Sequence, residues 1–131
     1  MKLHLHIALA VIIKGDEVLI QRRPANADHL PDVWEFPGGK VEAHETPQSA
    51  AIREAREEVG LEIEITRALT PIEWEYAERS VTLHPFEARV VAGEVVGARW
   101  IARQELNAAD FPDANRALIA ALRASKVNAR S

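Results

Sequence analysis

Glu45, Glu54, Glu57 and Glu58 fall within one short stretch, GKVEAHETPQSAAIREAREEVGL, running from Gly39 to Leu61. On an α-helix Glu57 and Glu58 lie three and four positions beyond Glu54, so the three carboxylates share a face and should converge on one point. Most Glu-rich helices are solvated charged surfaces. This one breaks several local stability rules together. Glu54 and Glu58 form a like-charge pair costing about 0.2–0.5 kcal/mol. Glu57 and Glu58 also occupy the last turn before Gly60, where the helix dipole disfavours exposed anions by about 0.3–1 kcal/mol each. The simplest compensator is a hard divalent cation, and Mg²⁺ binds through a few carboxylates, waters and substrate phosphates. The residues thus point to metal-dependent chemistry on a phosphate. Without metal, at least one of the crowded acids should have a raised pKa, so metal binding and activity should strengthen as pH rises.

The elements that must position these acids are legible nearby. Thr46 followed by Pro47 is a strong helix start, with the hydroxyl as N-cap and proline accepted at the first helical position. The helix is expected from Pro47 to Val59, with Ile52, Ala55 and Val59 as its buried stripe and Ala51 at the border. Before it, Leu3, Leu5, Ile7, Leu9, Val11 and Ile13 alternate with His4 and His6, the period of a strand rather than of a signal peptide. With no third ligand in sight, His4 and His6 read as strand surface. Gly15 and Asp16 form the tip of a hairpin whose second strand is Val18 to Arg22, and a turn-rich loop follows from Pro24 to Asp32. Strands are expected at Leu61 to Ala77 and Val81 to Ala92 around a turn at residues 77–80, with a short strand near Ala98 to Ala102. Leu118, Ile119 and Leu122 mark a closing helix, and residues 125–131 read as a frayed tail.

Composition narrows the function classes. The 131 residues, 47% hydrophobic, suit one domain spanning 1–131. A net charge of −4 and a pI near 5.7 argue against stable binding to nucleic-acid backbone. With no cysteine, thiolate catalysis and cysteine zinc sites are excluded. The expectation is a cytoplasmic monomer acting on a small molecule, with no membrane segment.

Gly39, Glu45, Arg53, Glu54, Ala55, Glu57, Glu58, Gly60 and Leu61 meet the pattern G-x5-E-x7-R-E-U-x-E-E-x-G-U, with Ala55 a smaller aliphatic than is usual at its position. By this pattern the chain resembles the Nudix hydrolases. The resemblance implies an α/β/α sandwich, a mixed sheet between helices, with the motif as a loop-helix-loop. It implies hydrolysis of a nucleoside diphosphate linked to another group, with Mg²⁺, or Mn²⁺ in its place, as cofactor. Glu54, Glu57 and Glu58 would be metal ligands together with the Gly38 carbonyl. Arg53 would orient Glu54, and Glu45 joins the catalytic set. Glu94, in VAGEVVGARW, stands where a later-loop glutamate supplies an extra ligand or the base.

Likeness to the MutT branch extends through VIIKGDEVLIQRRPANADHLPDVWEFPGGKVEAHETP, WEYAERSVTL and LNAADFPDANRALIAAL. It implies a base pocket lined by Arg23 and Phe36, with the Asn115 amide on the purine edge and Glu78 and Arg79 in the turn over the nucleotide. MutT has an aspartate at the position of Glu78 and a glycine at that of His44. The implied substrate is 8-oxo-dGTP, cleaved to the monophosphate and pyrophosphate, which serves mutation avoidance in DNA replication and repair. Oxidised guanine carries an N–H donor at N7 where guanine carries an acceptor, a difference that a buried amide can read. Two alternatives stand beside it: a Nudix hydrolase for another nucleotide derivative, and a nucleotide-binding sensor without turnover.

Overall fold

The computed structural model describes residues 2–23 and 33–125. The loop expected at Pro24 to Asp32 and the tail beyond Ser125 lie outside the described residues. Along the chain the elements are β1 (Leu3–Lys14), β2 (Glu17–Arg22), β3 (Trp34–Glu35), β4 (Gly38–Lys40), α1 (Pro47–Val59), β5 (Leu61–Ala68), β6 (Ile72–Glu75), β7 (Arg79–Gly93), β8 (Arg99–Ala102) and α2 (Arg116–Ala124).

The strands form a mixed sheet in the order β3-β2-β1-β7-β5, with β4 added to β1, β6 to β7 and β8 to β2. β1 and β7 run parallel from Leu3 opposite Arg79 to Ile12 opposite Ala88, and the other pairs are antiparallel. The alternation along β1 decides which layer each residue joins. Leu9 and Val11 pack with Leu118, Ile119 and Leu122 of α2, while Ala8, Ala10 and Ile12 pack with Ala50, Ala51, Ala55 and Val59 of α1. One helix therefore covers each face, giving the α/β/α sandwich. Three alanines on the buried side of α1 let it lie close to the sheet. The stripe is shifted from the expected one, since Ala50 and Ala51 are fully buried and Ile52 only half.

The boundaries of α1 match the sequence reading, and so does the β1–β2 hairpin around Gly15. One other expectation needs correction. Leu61 to Ala77 is not one strand. The chain leaves β5 at Ala68 and re-enters the sheet as β6 at Ile72, because Pro71 has no N–H for the ladder. β7 is long enough to serve both strands in turn. The short strands β3 and β4 escaped sequence analysis, since two or three residues beside Pro37, Gly38 and Gly39 show no strand periodicity. Gly38 nevertheless pairs with Leu9 of β1, and a Cβ on Gly38 would stand 2.1 Å from the Ala8 carbonyl.

His4 and His6 do lie on an exposed strand surface. The His4 ring meets the hydroxyls of Ser80 and Thr82, and β7 brings a third histidine, His84, to 3.0 Å from His6. Sequence order gives no hint of that parallel pairing. Among the described residues no helix is long and apolar enough to cross a membrane.

Candidate active site

Both ends of α1 are well defined. Thr46 caps the N-terminus, exchanging hydrogen bonds with Ser49, and Pro47 occupies the first turn. At the other end Gly60 adopts the left-handed conformation with φ +74°, and the Val96 N–H donates to the Val59 carbonyl. The loop after β7 thus closes the helix, which brings exposed Glu94 beside the turn that carries Glu57 and Glu58. The Glu94 backbone carbonyl approaches Gly60, 3.1 Å from where a Cβ there would stand, while the Glu94 side chain bonds to no described residue.

Arg53 organises the acidic face. Its guanidinium donates to both oxygens of Glu45, at 2.6 and 2.9 Å, to Glu54 Oε1 at 2.7 Å and to Glu57 Oε1 at 2.9 Å. Arg53 thus offsets part of the repulsion among three of the acids, beside the cation named as the simplest compensator, while Glu58 lies outside its reach. The pattern was easy to miss. Arg53 precedes Glu57 by four residues, the less favourable order for a helical pair, and Glu45 reaches it from the loop. Hydrogen bonds from Arg53, and one from the Glu42 N–H, hold the Glu45 carboxyl down at about 2. Hydrogen bonds to Glu45, Glu54 and Glu57 keep Arg53 firmly protonated.

Glu58 points to different partners. Its Oε1 accepts from the Gly38 N–H at 2.9 Å and from the Gln21 amide at 3.0 Å. Although the residue as a whole is exposed, its carboxyl end has lost hydration, which pushes its pKa up to about 7 against the two hydrogen bonds that lower it; Glu54 adds repulsion. One of the crowded acids is thus raised, as expected, with burial ahead of like charge as the cause.

In this arrangement the carboxylates do not meet at one point, and among the described residues no three acidic or histidine side chains are placed to hold a metal ion. The donor set still fits a hard dication. Glu54, Glu57 and Glu58 each keep one oxygen, Oε2, that bonds to no described residue. Gly39 leaves the space they need, for a Cβ there would lie 2.7 Å from the Glu54 carboxyl. Gly38 likewise admits no side chain, because a Cβ there would stand 2.1 Å from the Ala8 carbonyl.

Beside the acids opens a cavity of about 240 Å³, walled by side chains from β1, β3, β7 and the segment before α2. Four of the five residues assigned to substrate, Arg23, Phe36, Arg79 and Asn115, line it, as does Gly38. Glu78, in the bend before β7, does not. Phe36 serves two roles, since it is buried, stacks on Phe111 at 5.3 Å and forms part of the wall. Asn115 is 4% exposed, and its side-chain amide bonds to no described residue. The Nε atoms of Arg23 and Arg79 are buried and likewise have no partner among the described residues. Unmet polar groups are costly inside a protein, so donors collected around a cavity mark it as built for a polar guest.

Three further residues escaped sequence analysis. Glu35 lines the cavity, pairs with Arg23 at 3.0 Å and has its carboxyl raised by burial against the pull of Arg23. Gln21 bridges Glu35 and Glu58. Tyr76 lines the wall and accepts the Ala114 N–H on its hydroxyl. The one available signal was Gln21, a polar residue continuing the apolar run Val18 to Ile20 in a strand covered on both faces.

A carboxylate-bearing helix set against a cavity with buried polar donors suits metal-assisted chemistry on a phosphate-bearing guest. A model of the NUDIX domain matches residues 8–121, and the chain belongs to that family. It is accordingly a hydrolase of phosphoric anhydride bonds. Over 125 residues it is 38% identical to the 8-oxo-dGTP diphosphatase of Escherichia coli (strain K12), covering 91% of this chain and 96% of that one. It is also 33% identical to the CTP pyrophosphohydrolase of the same organism, covering 82% and 87%. In three dimensions it resembles the MutT protein from Methanosarcina mazei Go1 with a TM-score of 0.78 over 92% of this chain and 94% of that one; at 24% identity this shows the fold alone.

Proposed function

We propose that the chain hydrolyses 8-oxo-dGTP to 8-oxo-dGMP and pyrophosphate with Mg²⁺ as cofactor, Mn²⁺ serving in its place, and so removes an oxidised nucleotide before replication can use it. The observation that carries this is Asn115, a buried residue whose amide has no hydrogen-bond partner among the described residues, in a cavity that adjoins the acids. Such a group rewards a purine edge of matching donors and acceptors and is left unpaired by a mismatched one. The relationship to 8-oxo-dGTP diphosphatases supports the same choice.

Glu54, Glu57 and Glu58, with the Gly38 carbonyl, would hold the metal. A bound dication would neutralise pyrophosphate oxygens and lower the pKa of an attacking water. Arg53, fixed by Glu45, keeps Glu54 aimed, and Glu54 or Glu94 would serve as the acceptor of a proton. Phe36 packs on the base, Asn115 reads its edge, and Arg23 and Arg79 counter the charge of the nucleotide, with Glu78 in the turn beside them. The protein acts as one domain over residues 1–131, as a monomer in the cytoplasm.

A second reading, a Nudix hydrolase for a different nucleoside triphosphate, is favoured by the likeness to a CTP pyrophosphohydrolase. A nucleotide panel with pyrophosphate readout separates the two. The expected result is a kcat/KM for 8-oxo-dGTP far above those for dGTP and CTP, abolished by EDTA. Comparable values for 8-oxo-dGTP and dGTP would remove this substrate assignment.

A further inference from the structure

The acids of α1 and the cavity are joined through one side chain. Gln21 lies in β2 opposite Glu35 of β3 and is 8% exposed. Its amide nitrogen donates to Glu58 Oε1 at 3.0 Å and, over a longer 3.4 Å, to Glu35 Oε1. An amide NH₂ carries two hydrogens in a fixed fork, so one group can serve both carboxylates. Beyond it, Glu35 Oε2 accepts from Arg23 at 3.0 Å, and both Glu35 and Arg23 line the cavity. Glu58, Gln21, Glu35 and Arg23 thus form an unbroken file from the acidic face of α1 to the cavity wall.

We propose that Gln21 is a positioning residue that couples cation binding at Glu58 to occupation of the nucleotide cavity. The inference rests on the reading of the site given above. Gln21 and the Gly38 N–H both take Oε1 of Glu58, which fixes the carboxylate while leaving Oε2 for a cation. A shift of Glu58 toward that cation pulls on the shared amide and so on Glu35 and Arg23. A ligand that orders Arg23 acts back along the same bonds. Reciprocity is required, because a coupling free energy between two binding sites acts equally in both directions. Side chains one step behind metal ligands affect metal affinity through this kind of orientation.

The test uses Mn²⁺ and 8-oxo-dGMP as probes, each measured alone and in the presence of the other, on wild type, Gln21→Met and Gln21→Asn. Methionine keeps the length and loses both donors. Asparagine keeps the amide but withdraws it by one methylene, and provides a second variant should the first fail to fold. In the wild type each ligand should tighten the other by a factor within about 5–150. The variants should bind Mn²⁺ about 10–100-fold more weakly, and the mutual factor should fall to near one. A variant that melts cooperatively yet keeps the wild-type factor would overturn the proposal, as would a wild type that binds the two probes independently. A wild type that binds neither probe would overturn the reading of the site itself, and the coupling with it.

Discussion

The acidic face of α1 and the cavity beside it solve opposite problems. On the helix there is too much charge of one sign, and the chain manages it by local sequence: Arg53 gathers Glu45, Glu54 and Glu57. In the cavity there are too few partners for buried polar groups, and nothing local supplies them. Arg23, Arg79 and Asn115 come from three distant segments, and the Nε atoms of the two arginines find no partner among the described residues. The first region binds by charge, so it should be strong and tolerant of what is attached to the phosphates. The second binds by hydrogen-bond pattern, so it should be selective.

The largest expected effect comes from the charged region. Glu54→Gln should reduce kcat by about 10²–10⁴-fold for every nucleotide tested, without changing the preference among bases. A steady-state comparison of 8-oxo-dGTP and dGTP checks both halves of that statement. If Glu54→Gln altered the base preference instead, the division between the two regions would fail.

Asn115→Ala should do the reverse. Removing one hydrogen bond in a desolvated site should lower the ratio of kcat/KM for 8-oxo-dGTP over dGTP by about 10–100-fold, while hydrolysis of dGTP is retained. An unchanged ratio would favour the second reading of the substrate.

The smallest effect is a pH dependence. The Glu58 carboxyl is held at about 7 in the folded chain against an ordinary value of 4.5. Folding therefore favours its protonated form, and that contribution to stability is complete below the ordinary value and lost as pH rises through about 7. Metal requires the ionised form. Mn²⁺ affinity should rise with pH over the same window, by up to about tenfold per unit, with proton release on binding. Calorimetry in two buffers of different ionisation enthalpy measures that release, and a flat affinity would contradict it.

The two regions also differ in how far they could be read from sequence. The helix, its Thr46 cap, its Gly60 stop and its acids follow from spacings of a few residues, and resemblance supplied their roles. What stayed hidden there was Arg53 as the compensating charge, since rules for helical pairs look for the cation after the acid. Resemblance also named Arg23, Phe36, Arg79 and Asn115 for the cavity, but spacing alone would have left Phe36 in the core and Asn115 on a helix end. Gln21 and Glu35 were missed, because the β2–β3 register that sets them side by side involves a two-residue strand with no periodicity to detect. The parallel β1–β7 pairing that brings His84 to His6 was hidden for a different reason, being a contact between segments far apart in sequence.

The most direct test of the whole account is a crystal structure with Mn²⁺ and a nonhydrolysable analogue of 8-oxo-dGTP. The account predicts the ion bound by oxygens of Glu54, Glu57 and Glu58, and the base in the cavity with its edge on the Asn115 amide. An ion held elsewhere while Arg53 keeps all three of its acids, or a base bound outside the cavity, would contradict it.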